Sequence, residues 1–384
     1  MAAVLKPVHH CDIVKVLMVA PSVRVPDTLG QTLHQLALAN GLAKKGIEVT
    51  LLCRYDKKKI DISRFNSNLN FVTIVNPRIP FERIIFTRHA YQKVKSEISK
   101  EDYDIVHDRG YIFAGSGVQA ASEMGVKSIL QVDDNWMRSE LSATKMAKLW
   151  PYNKSAIYSC RQQIELANGG FTVSSVLRDQ ISEWNSKAKD FSVIQNGYED
   201  DLFNIQSKPL GIKKKLGIRN KMAVFVGALG PWHGTDELVE IAKSNSSIDV
   251  VVAGGGYGHN LPKLDNLHHI GRLERDEVPG LLLEADIGLA PYPNIDYGFS
   301  PLKIYEYMGC KLPVVATLLP SVKEATQGHA LLVRPGQMAD AISKILPNEK
   351  LLEDMAESAY IFATKQRTWF QTIEKTIKLY EDTL

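Results

Sequence analysis

The chain of 384 residues is poor in cysteine: Cys11, Cys53, Cys160 and Cys310 lie far apart and form no Cys-x-x-Cys pair. That spacing excludes a disulfide framework and a cysteine zinc site, and predicts free thiols in a reducing compartment. Long apolar runs are missing too. Nothing approaches the ~18–20 residues of a membrane span, and the opening residues lack a secretion-signal core, so a cytoplasmic protein is expected. Charge of one sign is also lacking: 46 basic and 43 acidic side chains leave +3, too balanced for nucleic-acid binding as the main activity. Low-complexity segments and short repeats are absent.

Two nucleotide-binding loops fail on spacing. Val251-Val252-Ala253-Gly254-Gly255-Gly256-Tyr257-Gly258 invites a dinucleotide reading, yet Gly-x-Gly-x-x-Gly from Gly254 needs a glycine where His259 stands, and from Gly256 one where Leu261 stands. No Gly-Lys-Ser/Thr occurs, which removes the Walker class. His9, His10 and Cys11 look like a metal cluster, but a terminal tail is the simpler reading and no metal or cofactor is expected.

What is present is a long alternation of apolar strand-like runs and helical patterns, the mark of parallel α/β units. One series comprises Val16–Ala20, Val49–Cys53, Phe71–Val75, Ile105–His107, Ser128–Val132, Phe171–Val173 and Val193–Ile194. A second comprises Ala223–Val226, Val250–Ala253, His268–Ile270, Ile287–Ala290, Val314–Ala316 and Ala330–Val333. They predict two Rossmann-like, doubly wound parallel-sheet domains, residues 1–203 and 204–365, joined through a polar, helix-poor stretch from Tyr198 to Lys215. Residues 366–384 form a final amphipathic helical segment with Trp369 and Phe370. Ligands of such sheets sit beyond the carboxyl ends of the strands, so the site is expected in the cleft between the domains.

The densest motif runs from Gly298 through Phe299, Ser300, Pro301, Leu302, Lys303 and Glu306 to Gly309. Ser300 suits an N-cap and Pro301 the first helical position, so a helix is expected to start here with its free amides facing an anion. Lys303 in the first turn opposes the helix dipole, a mismatch that an anionic ligand would relieve. Glu306 shares its face at i, i+3, so one turn could grip a phosphate and a pair of hydroxyls, as a sugar nucleotide presents. The loop Gly227-Ala228-Leu229-Gly230-Pro231-Trp232-His233-Gly234 permits close backbone approach, and His233 could meet a phosphate oxygen. Gly30 could do likewise, or be a plain loop glycine. Polar groups cluster at two further strand ends, His107-Asp108-Arg109 and Gln131-Val132-Asp133-Asp134. Either they position a hydroxyl acceptor, with Asp134 the first candidate, or their carboxylates cap the next helices. From Pro77 to Lys100 the chain carries Arg78, Arg83, Arg88, Lys93, Lys95 and Lys100 among apolar residues. The Arg88, Gln92 and Lys95 face could rest on an anionic membrane or be solvated.

The order of motifs resembles the GT-B glycosyltransferases, most closely the retaining family 4, over nearly the whole length. The resemblance is carried by Val193-Ile194-Gln195-Asn196-Gly197-Tyr198-Glu199 with Phe203, the Gly227–Gly234 loop, Glu284-Ala285-Asp286-Ile287-Gly288-Leu289 and Ser300–Gly309, followed by Lys311-Leu312-Pro313-Val314. It implies a GT-B fold whose second domain binds a nucleoside-diphosphate sugar and whose first binds the acceptor, with the last segment crossing back to the first domain. Glu306 matches the second glutamate of a pair that the family spaces eight positions apart, which holds the ribose, and Arg272 lies where the chain passes the base. The first glutamate of the pair is replaced by Gly298, and the diphosphate-holding Arg and Lys of the glycine loop are represented only by His233. The resemblance therefore implies a metal-independent, retaining transferase using Asp134, Lys303 and His233. The UDP-sugar is favoured over the GDP-sugar, a glycan or lipid-linked hydroxyl is the expected acceptor, and a cytoplasmic protein is expected, for which the basic Pro77–Lys100 segment offers a peripheral place on the inner membrane face as one of its two readings. The alternatives are a non-catalytic sugar-nucleotide-binding subunit and a GT-B-like epimerase.

Overall fold

The computed structural model describes residues 14–25, 30–56, 58–74, 82–135, 150–230, 232–256 and 261–384, without the side chains of 31 and 82–86. His9, His10, Cys11, Arg78 and Pro231 lie outside the description, and so does the side chain of Arg83. All thirteen expected strands form. The first sheet contains β1 (Lys15–Val25), β2 (Glu48–Tyr55), β3 (Leu69–Thr73), β4 (Ile105–Arg109), β5 (Lys127–Val132), β6 (Gly169–Thr172) and β7 (Ser192–Val193), in the order β3-β2-β1-β4-β5-β6-β7. The second contains β8 (Lys221–Val226), β9 (Ile248–Ala253), β10 (Leu267–Gly271), β11 (Ile287–Ala290), β12 (Val314–Thr317) and β13 (Leu331–Val333), in the order β10-β9-β8-β11-β12-β13. Every pairing is parallel.

The unbroken apolar runs follow from that architecture, because parallel strands with helices on both faces bury both faces. β9 and β11, for example, are buried at every residue. The strand order reverses between β1 and β4 and again between β8 and β11. These switch points open the crevices in which the site must lie.

The stretch expected to be helix-poor contains one short helix, Ile212–Leu216, whose leading amides at Gly211, Ile212 and Lys213 donate to the Glu284 carboxylate. Tyr198 and Phe203 are buried in the core of the second domain, ahead of the boundary read at 204. The chain crosses between the domains twice and the crossings pair: Tyr198 N–H donates to the Arg367 carbonyl at 2.9 Å and Trp369 N–H to the Tyr198 carbonyl at 3.3 Å. The last helix, Trp369–Thr383, opens on a capping box of Thr368 and Gln371, then places Ile373 and Tyr380 in the core of the first domain. Cys53, Cys160 and Cys310 are buried free thiols, and burial pushes Cys53 up to about 12.

Candidate active site at the cleft

The helix of the dense motif spans Leu302–Gly309, one residue later than its sequence suggests. Pro301 takes the cap position, and Ser300 makes no capping bond; its hydroxyl is buried without a hydrogen-bond partner. The Leu302 amide is also engaged, donating to the Ser300 carbonyl at 3.2 Å, and is therefore not open to an anion as the sequence reading expected. The tight turn at Ser300–Pro301 explains both corrections. Ile304, Tyr305, Tyr307 and Met308 are fully buried, and the Tyr307 hydroxyl accepts from Val226 N–H at 2.8 Å, which ties this helix to the end of β8.

Lys303 is thereby aimed at the glycine loop. Its Nζ lies 3.0 Å from His233 Nε2 and 4.1 Å over the Phe225 ring. Gly227 has a φ of +153°, and a Cβ there would stand 2.9 Å from the Lys303 ammonium, so glycine makes the room that the cation occupies. Burial pushes Lys303 down to about 7, with nearby Glu306 opposing the shift. Among the described residues no carboxylate forms a salt bridge with it. His233 has a different part from the one expected. Its Nδ1–H donates to the Ala228 carbonyl, which leaves Nε2 as the acceptor for Lys303. Burial and then the Lys303 charge push the imidazole down to about 3, so it is neutral and orients the lysine instead of supplying a second cation.

Glu306 is 8% exposed, and its Oε1 accepts from Arg275 at 2.7 Å. The same guanidinium reaches Glu199 Oε2 at 2.6 and 3.0 Å and lies 4.5 Å from the Phe203 ring centre. Arg275 was not singled out in the sequence; Arg272, three positions earlier, was, and it is exposed at the end of β10. Glu199 and Phe203 belong to a motif that the sequence did display, but nothing in the pattern around Arg275 connects it to them.

Gly298 meets the first domain directly. Its N–H donates to Gln180 Oε1 at 3.0 Å, and a Cβ would lie 2.5 Å from the Leu177 nitrogen. Gln180 also donates to the Asp296 carbonyl and accepts from Asn135 Nδ2. The absent first glutamate thus has a steric cause: no side chain fits between this loop and the helix Ser175–Ser182. Phe299 packs on Tyr292 with ring centres 5.0 Å apart. Gly30 opens the helix Gly30–Lys44 and is exposed, and among the described residues nothing lies within 4 Å of a Cβ built on it.

On the first-domain side Asp134 is half-buried, and the phenol of Tyr297, from the loop before Gly298, is pushed up by burial and then by Asp134 and Asp296. Asp133 sits deeper. Arg109 Nε donates to it at 2.7 Å and Gln131 Nε2 at 2.8 Å. Although burial opposes it, His34 and Arg109 hold that carboxyl below its ordinary value. His107 extends the network: burial pushes it down to about 4, its Nε2–H donates to Gln131 Oε1 at 2.8 Å, and its Nδ1 accepts from the Tyr380 hydroxyl at 2.7 Å. The last helix therefore helps to set the orientation of Asp133. Asp108 is not part of the site; it accepts from Gly117 and Val118 N–H and holds the start of helix Ser116–Met124. The cationic face read between Pro77 and Lys100 is partly neutralised, since Lys93 and Lys100 pair with Glu97 and Lys95 with Glu123. Among the described residues no helix is long and apolar enough to cross a membrane.

Residues 29–202 match the family model described as Glycosyltransferase Family 4, and residues 220–348 match Glycosyl transferases group 1. The chain is 23% identical to the D-inositol 3-phosphate glycosyltransferase of Corynebacterium glutamicum (strain R), covering 93% of each protein. Its fold superposes on sucrose-phosphate synthase from Thermosynechococcus elongatus with a TM-score of 0.79 at 15% identity, covering 96% of this chain and 98% of that one. It superposes on Anabaena HepE in complex with UDP-glucose with a TM-score of 0.71 at 15% identity, covering 96% and 99%. Two facing parallel sheets, each matching its own half of one enzyme family, make this chain a GT-B glycosyltransferase of family 4, group 1.

Proposed function

We propose that the protein transfers a sugar from UDP-sugar to a hydroxyl of a glycan or lipid-linked acceptor, with retention of anomeric configuration and without a metal ion. One observation carries the donor reading: the half-buried Lys303 amine stands at the helix start against the glycine loop with no carboxylate salt bridge among the described residues. A cation partly withdrawn from water without a counter-charge is costly, and an anionic leaving group is the partner that offsets it. As the glycosidic bond breaks, charge grows on the diphosphate, and Lys303 stabilises it from a fixed position. His233 holds that position, as an orienting group.

Glu306 accepts a ribose hydroxyl through the oxygen that Arg275 does not occupy, and Arg275 keeps the carboxylate in place. Arg272 lies beside the base, and the Gly298–Pro301 loop faces the donor sugar. Asp134, across from Tyr297, orients the acceptor. Uracil is favoured because HepE, of the same fold, holds UDP-glucose. The site needs no cofactor under this reading.

The reading is tested by titrating the protein with UDP, GDP and ADP and their glucose conjugates, with and without magnesium, and by following the anomeric configuration of product by NMR. Stabilisation by uridine nucleotides without metal supports it; a strict magnesium requirement or an inverted product overturns it. Arg275→Ala is expected to weaken UDP-glucose binding by at least about tenfold, because Glu306 and Glu199 are left facing each other's charge without a cation between them. Calorimetry checks this, and Arg275→Lys should recover part of the loss.

A further inference from the structure

Outside the cleft the first domain carries a groove of about 1350 Å³, formed by the helices Glu82–Ile98, Ser116–Met124 and Trp150–Leu166. Three exposed cations line it, Arg88, Lys154 and Arg161, and among the described residues none of them has a carboxylate partner. The one carboxylate in the lining, Glu123, is already matched by Lys95 at 3.1 Å and by the Tyr91 hydroxyl.

Rings and neutral polar groups complete the surface. Tyr158, 64% exposed, faces solvent on the same helical stripe as Lys154 and Arg161, and Phe113 and Tyr91 supply two more rings. Gln119, Ser122, Ser155 and Gln162 add amides and hydroxyls. Phe113 holds a φ of +58°, a conformation that a bulky residue adopts only when its surroundings impose it. Here Thr87 donates to its carbonyl and Tyr152 packs edge-on at 5.3 Å. Phe113 follows the end of β4 closely: it stands four positions beyond Arg109 of the cleft network, a chain length of at most about 14 Å.

We propose that this groove binds an anionic glycan segment of the acceptor, remote from the hydroxyl that reacts, a proposal that rests on the reading of the acceptor as a glycan. Sugar faces stack on the rings, hydroxyls meet the amides, and carboxylate or phosphate substituents meet the three cations. A planar bilayer does not enter a concavity of this kind, whereas a sugar chain does.

The test uses the full chain with oligogalacturonate, neutral dextran oligomers and phosphatidylglycerol vesicles as probes. Oligogalacturonate should bind at low salt and weaken as salt is raised. Tyr158→Ala combined with Arg161→Ala should weaken it by about tenfold, the loss of one ring stack and one rim charge. UDP-glucose affinity of the same variant should stay unchanged. Equal binding by the double variant, equal binding of dextran, or vesicle binding without oligosaccharide binding overturns the proposal. UDP-glucose binding and turnover report on the cleft separately, so their absence would strike the donor reading and leave the groove standing.

Discussion

Lys303→Ala is expected to lower turnover, read as UDP release from UDP-glucose, by ~10²–10³, the usual result of removing one preorganised donor to a developing anion. The loss should fall on kcat at least as much as on KM, because the charge that Lys303 meets is largest after the bond begins to break. Lys303 also makes donor binding depend on pH, with a definite sign. In the free protein its pKa stands at about 7, and a bound diphosphate favours the ammonium and raises it. Binding therefore takes up a proton. Affinity for UDP-glucose is full below the free pKa and falls as pH rises above 7, by up to about tenfold per unit until the pKa of the complex is passed. Calorimetry in buffers of different ionisation enthalpy would detect the proton directly, and Lys303→Met should abolish both the uptake and the slope. Turnover near wild type in Lys303→Ala would sink the assignment.

Gly298→Ala is the second large effect expected. The added methyl would stand 2.5 Å from the Leu177 nitrogen and 2.6 Å from its Cβ, backbone and first side-chain carbon alike, with no flexible tip to yield. The opposing helix cannot withdraw easily either. Glu324 of the second domain accepts from Ser175 N–H at 2.8 and 3.0 Å and from the Ser175 hydroxyl at 2.8 Å, which pins the helix start. The methyl must part the domains at this point and displace the Gln180 contact. A shift of about 1 Å between donor and acceptor sides costs ~10² in rate, so kcat should drop by that order while UDP-glucose affinity changes little. Gly298→Glu, which rebuilds the family's glutamate pair on paper, should fare no better. If Gly298→Ala turned over at the wild-type rate, the reacting arrangement would have to hold the two domains further apart than this one.

The sequence by itself determined both sheets, the cleft between them, the family and the helix that carries Lys303 and Glu306. These rest on local signals: apolar strands buried on both faces, glycines where the chain turns, and a Ser-Pro-Leu-Lys run at a helix start. It also exposed the loss of a carboxylate at Gly298 without its reason, because the colliding atoms belong to Leu177, far away in sequence. Only the tertiary structure decided that His233 serves Lys303, since burial and the Lys303 charge hold the imidazole neutral and the Ala228 carbonyl sets its tautomer. Only the tertiary structure brought Arg275 to Glu306 and Glu199, and Tyr380 to His107 across 273 positions. The same holds for Asp108, whose neighbours in sequence suggest a site while its partners in space are two helix amides. Periodicity reports which face of an element is buried; it carries no information on which charged groups from separate elements meet beyond the strand ends, and there the chemistry of this protein is set.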